Sequence, residues 1–203
     1  DTYGVRGIHV SEIGCGRGDF LAMLCETGDN FGVGIDPSIV SGGVESRARE
    51  RMKFIKDYYS ERYADELGDF VCCRHTLEHI SNTAEFVISL RKSIDEKNTP
   101  VCFEVPDVSR ILSEVAFWDI YYEHCSYFDL DSLAQLFSYC GFEVTNLMKT
   151  YFNQYLVIEA KPAANLSKKA FERKESIEKT AKMVQDFSVR CTDKLKSWDK
   201  EIK

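Results

Sequence analysis

The chain has 203 residues, 44% of them hydrophobic and 29% charged, with a formal net charge of −7. These values suit one globular domain with a sizeable core and exclude the disordered and fibrous classes. The acidic balance argues against a general nucleic-acid or anionic-membrane surface, and no apolar run is long enough to span a bilayer. The local basic run Arg47, Arg49, Arg51 and Lys53 reads as a solvated helix face. The eight cysteines are scattered without a Cys-x-x-Cys pair. They predict reduced thiols, a cytoplasmic setting and no structural zinc site.

From Ile8 to about Lys161 strand and helix patterns alternate. The first strand ends at Ile13, and a helix is expected over Asp19–Glu26. A second strand, Phe31–Ile35, ends at Asp36-Pro37. A helix is expected near Val40–Arg49, then a short strand at Met52–Ile55 that ends in Lys56-Asp57-Tyr58. A fourth strand covers Phe70–Arg74, with a helix over about Asn82–Glu96, and a fifth covers Val101–Val105. A helix over Asp129–Cys140 stops at Gly141, and two strands, Phe142–Lys149 and Tyr155–Ala160, close the pattern as a hairpin. Alternation of this kind implies an α/β fold, a Rossmann-like sheet that is mainly parallel with a closing antiparallel hairpin.

A long helix is expected from Leu166 onward. Ile177, Ala181, Val184, Phe187, Cys191, Leu195, Trp198 and Ile202 recur at steps of three and four, making one continuous apolar face. Such a face must cover something. The expected division is a domain over residues 1–162 and a helical extension over 163–203. The start at Asp1, almost on the first strand, suggests a piece of a longer protein with flanking domains.

The stretch Glu12-Ile13-Gly14-Cys15-Gly16-Arg17-Gly18 joins the first strand to its helix. Glycines here reach backbone conformations closed to other residues and let a ligand approach the main chain. Glu12 at the strand end would disfavour a pyrophosphate. Asp36, about 20 residues on, stands where a βαβ unit places an acid on a ribose hydroxyl pair. An acid on each side of the glycines suits a nucleoside with a charged amino-acid tail. The stretch resembles the first motif of the class I S-adenosylmethionine-dependent methyltransferases, and Gly34-Ile35-Asp36-Pro37-Ser38 resembles their ribose-binding motif. The resemblance implies S-adenosyl-L-methionine as cofactor, held by Glu12, Gly14, Cys15, Gly16, Asp36 and Pro37. Asp57 and Tyr58 would hold the adenine by a hydrogen bond and by stacking.

Two further strand ends carry chemistry. Arg74-His75-Thr76-Leu77-Glu78-His79-Ile80 is similar to a segment that borders the methionine end of the cofactor in small-molecule methyltransferases, which implicates Arg74 and His79. No metal is expected, because His75 and His79 lack a clear third ligand. After the fifth strand comes Tyr121-Tyr122-Glu123-His124-Cys125-Ser126-Tyr127-Phe128, an aromatic-rich loop at the active edge. Partial burial would keep His124 neutral and able to accept a proton. The segment resembles the sugar C-methyltransferases, which implies His124 as the base beside a ketone, with Tyr121 and Glu123 as its partners. The expected activity is methylation of a small-molecule acceptor such as a keto sugar. An O- or N-methyltransferase, or an inactive cofactor-binding module, are the competing readings.

Overall fold

The computed structural model describes residues 4–40, 44–94, 97–164 and 177–202. Seven strands form one sheet: β1 (His9–Ile13), β2 (Phe31–Ile35), β3 (Met52–Ile55), β4 (Phe70–Arg74), β5 (Val101–Pro106), β6 (Phe142–Thr150) and β7 (Tyr155–Pro162). Their order is β3-β2-β1-β4-β5-β7-β6. All pairings are parallel except those of β7, which runs antiparallel to both β5 and β6. The expected sheet and closing hairpin are both present.

The order reverses between β1 and β4. Successive crossovers therefore leave in opposite directions, and a crevice opens at the carboxyl ends of these two strands. Glu12 and Gly14 end one of them; Arg74 and His75 end the other. The candidate site residues thus gather on one edge of the sheet.

Helices cover the two faces unequally. On one face α2 (Thr83–Ser93) and α4 (Leu130–Tyr139) bury Val87, Leu90, Leu133 and Phe137 against Val71, Phe103 and Ile158. On the other, α1 (Asp19–Gly28) packs Leu21 and Cys25 onto Val10, Phe70 and Cys72. The periodicity that makes α4 a helix is reinforced at its start, where Asp129 and Ser132 exchange backbone hydrogen bonds in a capping box. All eight cysteines are free thiols.

Three expectations need correction. No α-helix lies among the described residues of the 40–49 stretch; a single 3₁₀ turn, Arg49–Arg51, leads into β3. Side-chain oxygens take the amides a helix would use there. Glu26 Oε1 accepts from the Arg47 N–H at 2.9 Å, and Ser46 Oγ accepts from the Ala48 N–H at 3.0 Å. Conversely, α3 (Val108–Glu114) was not expected. It is seven residues long, capped by Asp107 accepting from the Ser109 N–H at 2.8 Å, and ends at Val115 with φ 55° rather than at a glycine. Finally, α2 ends at Ser93 with Ile94 as its cap, and the expected end at Glu96 lies outside the described residues.

The last helix, α5 (Ile177–Ile202), touches the fold along one side only. Arg190 donates to the carbonyls of Leu112 and Ser113, and Lys194 to those of Glu114 and Val115. These are the unsatisfied carbonyls at the end of α3, where a cation also meets the negative helix terminus. Trp198 stacks on Trp118 at 5.8 Å, and Lys194 sits 4.4 Å over the Trp118 ring. The expected helix start at Leu166 lies outside the described residues.

Candidate active site

The glycine turn is held from both sides. Gly14, Gly16 and Gly18 have φ of 76°, 53° and 89°. A Cβ on Gly14 would stand 1.9 Å from Thr76 Oγ1, so only glycine fits between β1 and the end of β4. Around Gly16 nothing lies within 4 Å of such a Cβ, and the backbone borders open space. The Gly16 N–H donates to Asp36 Oδ2 at 2.9 Å, tying the turn to the end of β2.

Asp36 Oδ1 already accepts from the Ser38 N–H and hydroxyl, each at 2.6 Å. A carboxylate offers about four lone-pair positions, so roughly one stays open for a direct ribose contact. A second requires the Ser38 hydroxyl to turn away. Glu12 is buried at the end of β1, and its Oε2 has no hydrogen-bond partner. Burial pushes its carboxyl up to about 7, opposed chiefly by the Arg74 guanidinium. A buried acid with an unpartnered oxygen beside an open glycine turn fits a ligand that carries positive charge. Cys15 is buried in the same turn, with its thiol pushed up to about 12 by desolvation.

The remaining expected cofactor residues are more dispersed. Pro37 is exposed beside Asp36. Asp57 accepts from Arg62 and from the Tyr63 hydroxyl at 2.6 Å, and Tyr58 is 76% exposed. Arg74 donates to Glu104 Oε1 from Nη2 at 2.7 Å and lies 4.2 Å over the Phe20 ring. With Phe20 and Glu104 it lines a groove of about 680 Å³ on the α1 face of the sheet.

A second cluster surrounds a smaller cavity of about 150 Å³, lined by His75, Glu78, His79, Tyr121 and His124 among others. A 3₁₀ turn, Leu77–His79, follows β4. The Glu78 carbonyl accepts from the N–H groups of Cys125 and Ser126 at 2.7 and 3.2 Å, stitching the β4 end to the aromatic loop. His75, at φ 49°, points its Nε2 at Glu104 Oε1, 2.9 Å away. The His79 and His124 rings meet edge to face at 4.8 Å, and Tyr121 and Tyr127 flank His124 at 5.0 and 5.6 Å.

His124 Nδ1 is buried and has no hydrogen-bond partner. Desolvation, with the neighbouring His79, holds its pKa below the usual imidazole value and so favours the neutral ring. No hydrogen bond joins the Glu123 side chain to His124 Nδ1, although the Glu123 charge works against the lowering of the His124 pKa. The Glu123 side chain is exposed, and that residue contributes its backbone carbonyl, 3.3 Å from His79 Nδ1. Buried Glu78, whose carboxyl is raised by desolvation, is the acid of this corner. The sequence marks Glu78 as part of a dense strand end but not as a neighbour of His124, because that proximity depends on a contact between segments 46 residues apart.

A sheet of this order, with a glycine turn between two acids at the crevice, defines a class I S-adenosylmethionine-dependent methyltransferase. Residues 3–147 match the methyltransferase domain family; the chain belongs to it, and S-adenosylmethionine is its methyl donor. The fold is shared with a chain from the Haloferax volcanii complex of the Trm112 methyltransferase activator and a methyltransferase. Identity there is 13%, the TM-score 0.61, and coverage 80% of this chain and 88% of that one. The Burkholderia thailandensis 1,6-didemethyltoxoflavin-N1-methyltransferase, solved with S-adenosylhomocysteine and its acceptor, gives 16%, 0.57, 80% and 74%. The magnesium protoporphyrin IX methyltransferase of Synechocystis, also solved with S-adenosylhomocysteine, gives 15%, 0.56, 80% and 77%. At these identities the likeness establishes the fold. No curated sequence matches the chain at a significant level.

Proposed function

We propose that the chain methylates a carbon next to the carbonyl of a small, sugar-like acceptor, with His124 as the base that removes the α-proton. The observation that carries this reading is the placement of His124. Its ring borders a cavity at the carboxyl edge of the sheet, between tyrosines, with Nδ1 unpartnered. A base needs a lone pair not already committed to a protein donor. S-adenosylmethionine, held along Glu12, Gly14, Gly16 and Asp36, supplies a methyl group on a positively charged sulfur, an activated donor. The chain's own contribution is then to position the acceptor, exclude water with Tyr121 and Tyr127, and take the proton at His124.

Residues 1–162 form the catalytic unit in this reading and 163–203 an extension, of which α5 docks on α3. A cytoplasmic setting suits the eight unpaired thiols. The 16S rRNA methyltransferase of Catenulisporales acidiphilia has the same fold, at a TM-score of 0.56. The net charge of −7 is the reason to favour a small acceptor over RNA here.

The test is hydrogen exchange. A keto-sugar acceptor incubated with the protein in deuterated water should lose its α-hydrogen to solvent, and His124→Ala should stop that exchange. Full activity in His124→Ala, with the methyl group found on oxygen or nitrogen, would overturn C-methylation and leave the methyltransferase assignment standing.

A further inference from the structure

Three side chains of ligand type meet at the edge of the acceptor cavity. The turn after β4 presents Glu78 and His79, and the loop after α3 presents His124; one ligand atom from each lies within 4.8 Å of the others. Two of these groups carry buried atoms that bond nothing, Glu78 Oε2 and His124 Nδ1. Glu78 is only 2% exposed, so an ionised oxygen there lacks both water and a donor. That is costly unless a cation arrives. His79 is oriented from behind. Its Nδ1 lies 3.3 Å from the Glu123 carbonyl, so the neutral ring donates there and keeps the Nε2 lone pair. Metal-binding imidazoles are held in this way.

We propose that Glu78, His79 and His124 bind a divalent transition-metal ion of the zinc class. Two imidazole nitrogens and one carboxylate oxygen suit Zn²⁺ or Co²⁺ better than Mg²⁺ or Ca²⁺, which favour six or more oxygen ligands. Bonds of about 2.1 Å in tetrahedral geometry place ligand atoms about 3.4 Å apart. The cluster therefore contracts by about 1.4 Å from its widest separation of 4.8 Å, a shift within reach of side-chain rotation. The backbone bonds from Cys125 and Ser126 to the Glu78 carbonyl keep the two segments together meanwhile. Three protein ligands leave a fourth position, for water or an acceptor oxygen, on the cavity side.

A bound ion would hold a lone pair of His124 and remove it as a base, so the loaded protein turns over slowly. Only this consequence rests on the reaction proposed above. The binding itself does not.

The experiment is calorimetric titration of zinc chloride into the full chain without acceptor, repeated with cobalt chloride and visible absorption. One equivalent should bind, with the intense absorption of tetrahedral Co²⁺. Glu78→Gln and His79→Asn should each weaken binding at least tenfold. His79 is exposed, so its variant keeps the fold even if the Glu78 variant does not. No saturable binding, or unchanged affinity in His79→Asn, would overturn the site. One equivalent of zinc should also lower turnover at least tenfold, reversibly by chelator. Zinc bound with turnover intact would keep the site and strike out His124 as the base.

Discussion

The two halves of the catalytic edge are built in different ways. The proposed cofactor half, from Glu12 to Asp36, is a local arrangement in which one glycine turn joins β1 to α1, and the N–H groups of Gly14 and Gly16 tie it to Ile35 and Asp36 at the end of the neighbouring β2. The proposed acceptor half is assembled across the chain, with Glu78 from one segment receiving the backbone of Cys125 and Ser126 from another. Local construction gives a site whose parts can be read along the sequence. Long-range construction gives one whose residues are visible but whose partners are not.

The largest effect that separates the halves is chemical. His124→Ala should lower turnover about 10²–10⁴-fold, the usual worth of a positioned base, with substrate-saturated rates as the readout. A loss confined to KM would return His124 to the role of a wall.

Within the cofactor half, two glycines should respond unequally. Gly14→Ala meets both a positive φ and Thr76 Oγ1 at 1.9 Å, whereas Gly16→Ala meets only the backbone strain. Strain of that kind costs about 1–2 kcal/mol, so Gly16→Ala should fold with a modest drop in Tm and Gly14→Ala with a much larger one. Adding Thr76→Ala should restore part of the Gly14→Ala loss. Equal drops for both variants would mean that the turn does not pack against the end of β4 as described.

Glu12 links the cofactor half to pH. Its carboxyl is raised from about 4.5 to about 7, so much of it is protonated in the free protein near neutrality. A cationic ligand favours the ionised form, so binding should release a proton, and affinity for S-adenosylmethionine should rise between roughly pH 6 and 8. Calorimetry in buffers of different ionisation enthalpy measures that release, and Glu12→Gln should abolish it. In the free protein the same shift acts on stability with the reverse trend. The fold favours protonated Glu12, an advantage fully present below about 4.5 and lost as pH climbs through about 7.

The smallest effect lies outside both halves. Trp198→Ala removes the stack on Trp118 and should cost about 0.5–1.5 kcal/mol. Ending the chain after Lys161 should leave S-adenosylmethionine binding in place, and a truncated protein that no longer binds it would make α5 part of the catalytic unit.

The same contrast explains what was legible in the sequence. Glu12, Gly14 and Asp36 stood out because strand, turn and acid follow one another at fixed spacing, and the sheet could be counted from alternation alone. The 40–49 stretch misled because helix-like spacing says nothing of Glu26 and Ser46 taking the amides of Arg47 and Ala48. The α3 helix was hidden by its length and by an ending at Val115 in place of glycine. His124 was visible as part of a dense Tyr-Glu-His cluster. Tyr121 was legible as its neighbour, whereas Glu78 and His79 were not, because the fold delivers them from another segment.

The central claim is that cofactor binding and proton removal belong to separate halves of one edge. Calorimetric titration of S-adenosylmethionine into the wild-type chain, Asp36→Ala and His124→Ala tests it without any acceptor. Asp36→Ala loses charged hydrogen bonds worth about 1.5–3 kcal/mol each and the anchor of the Gly16 turn, so its affinity should fall at least tenfold. His124→Ala should bind within twofold of wild type. Unchanged affinity in Asp36→Ala, or a loss in His124→Ala as large as that expected for Asp36→Ala, would contradict the division.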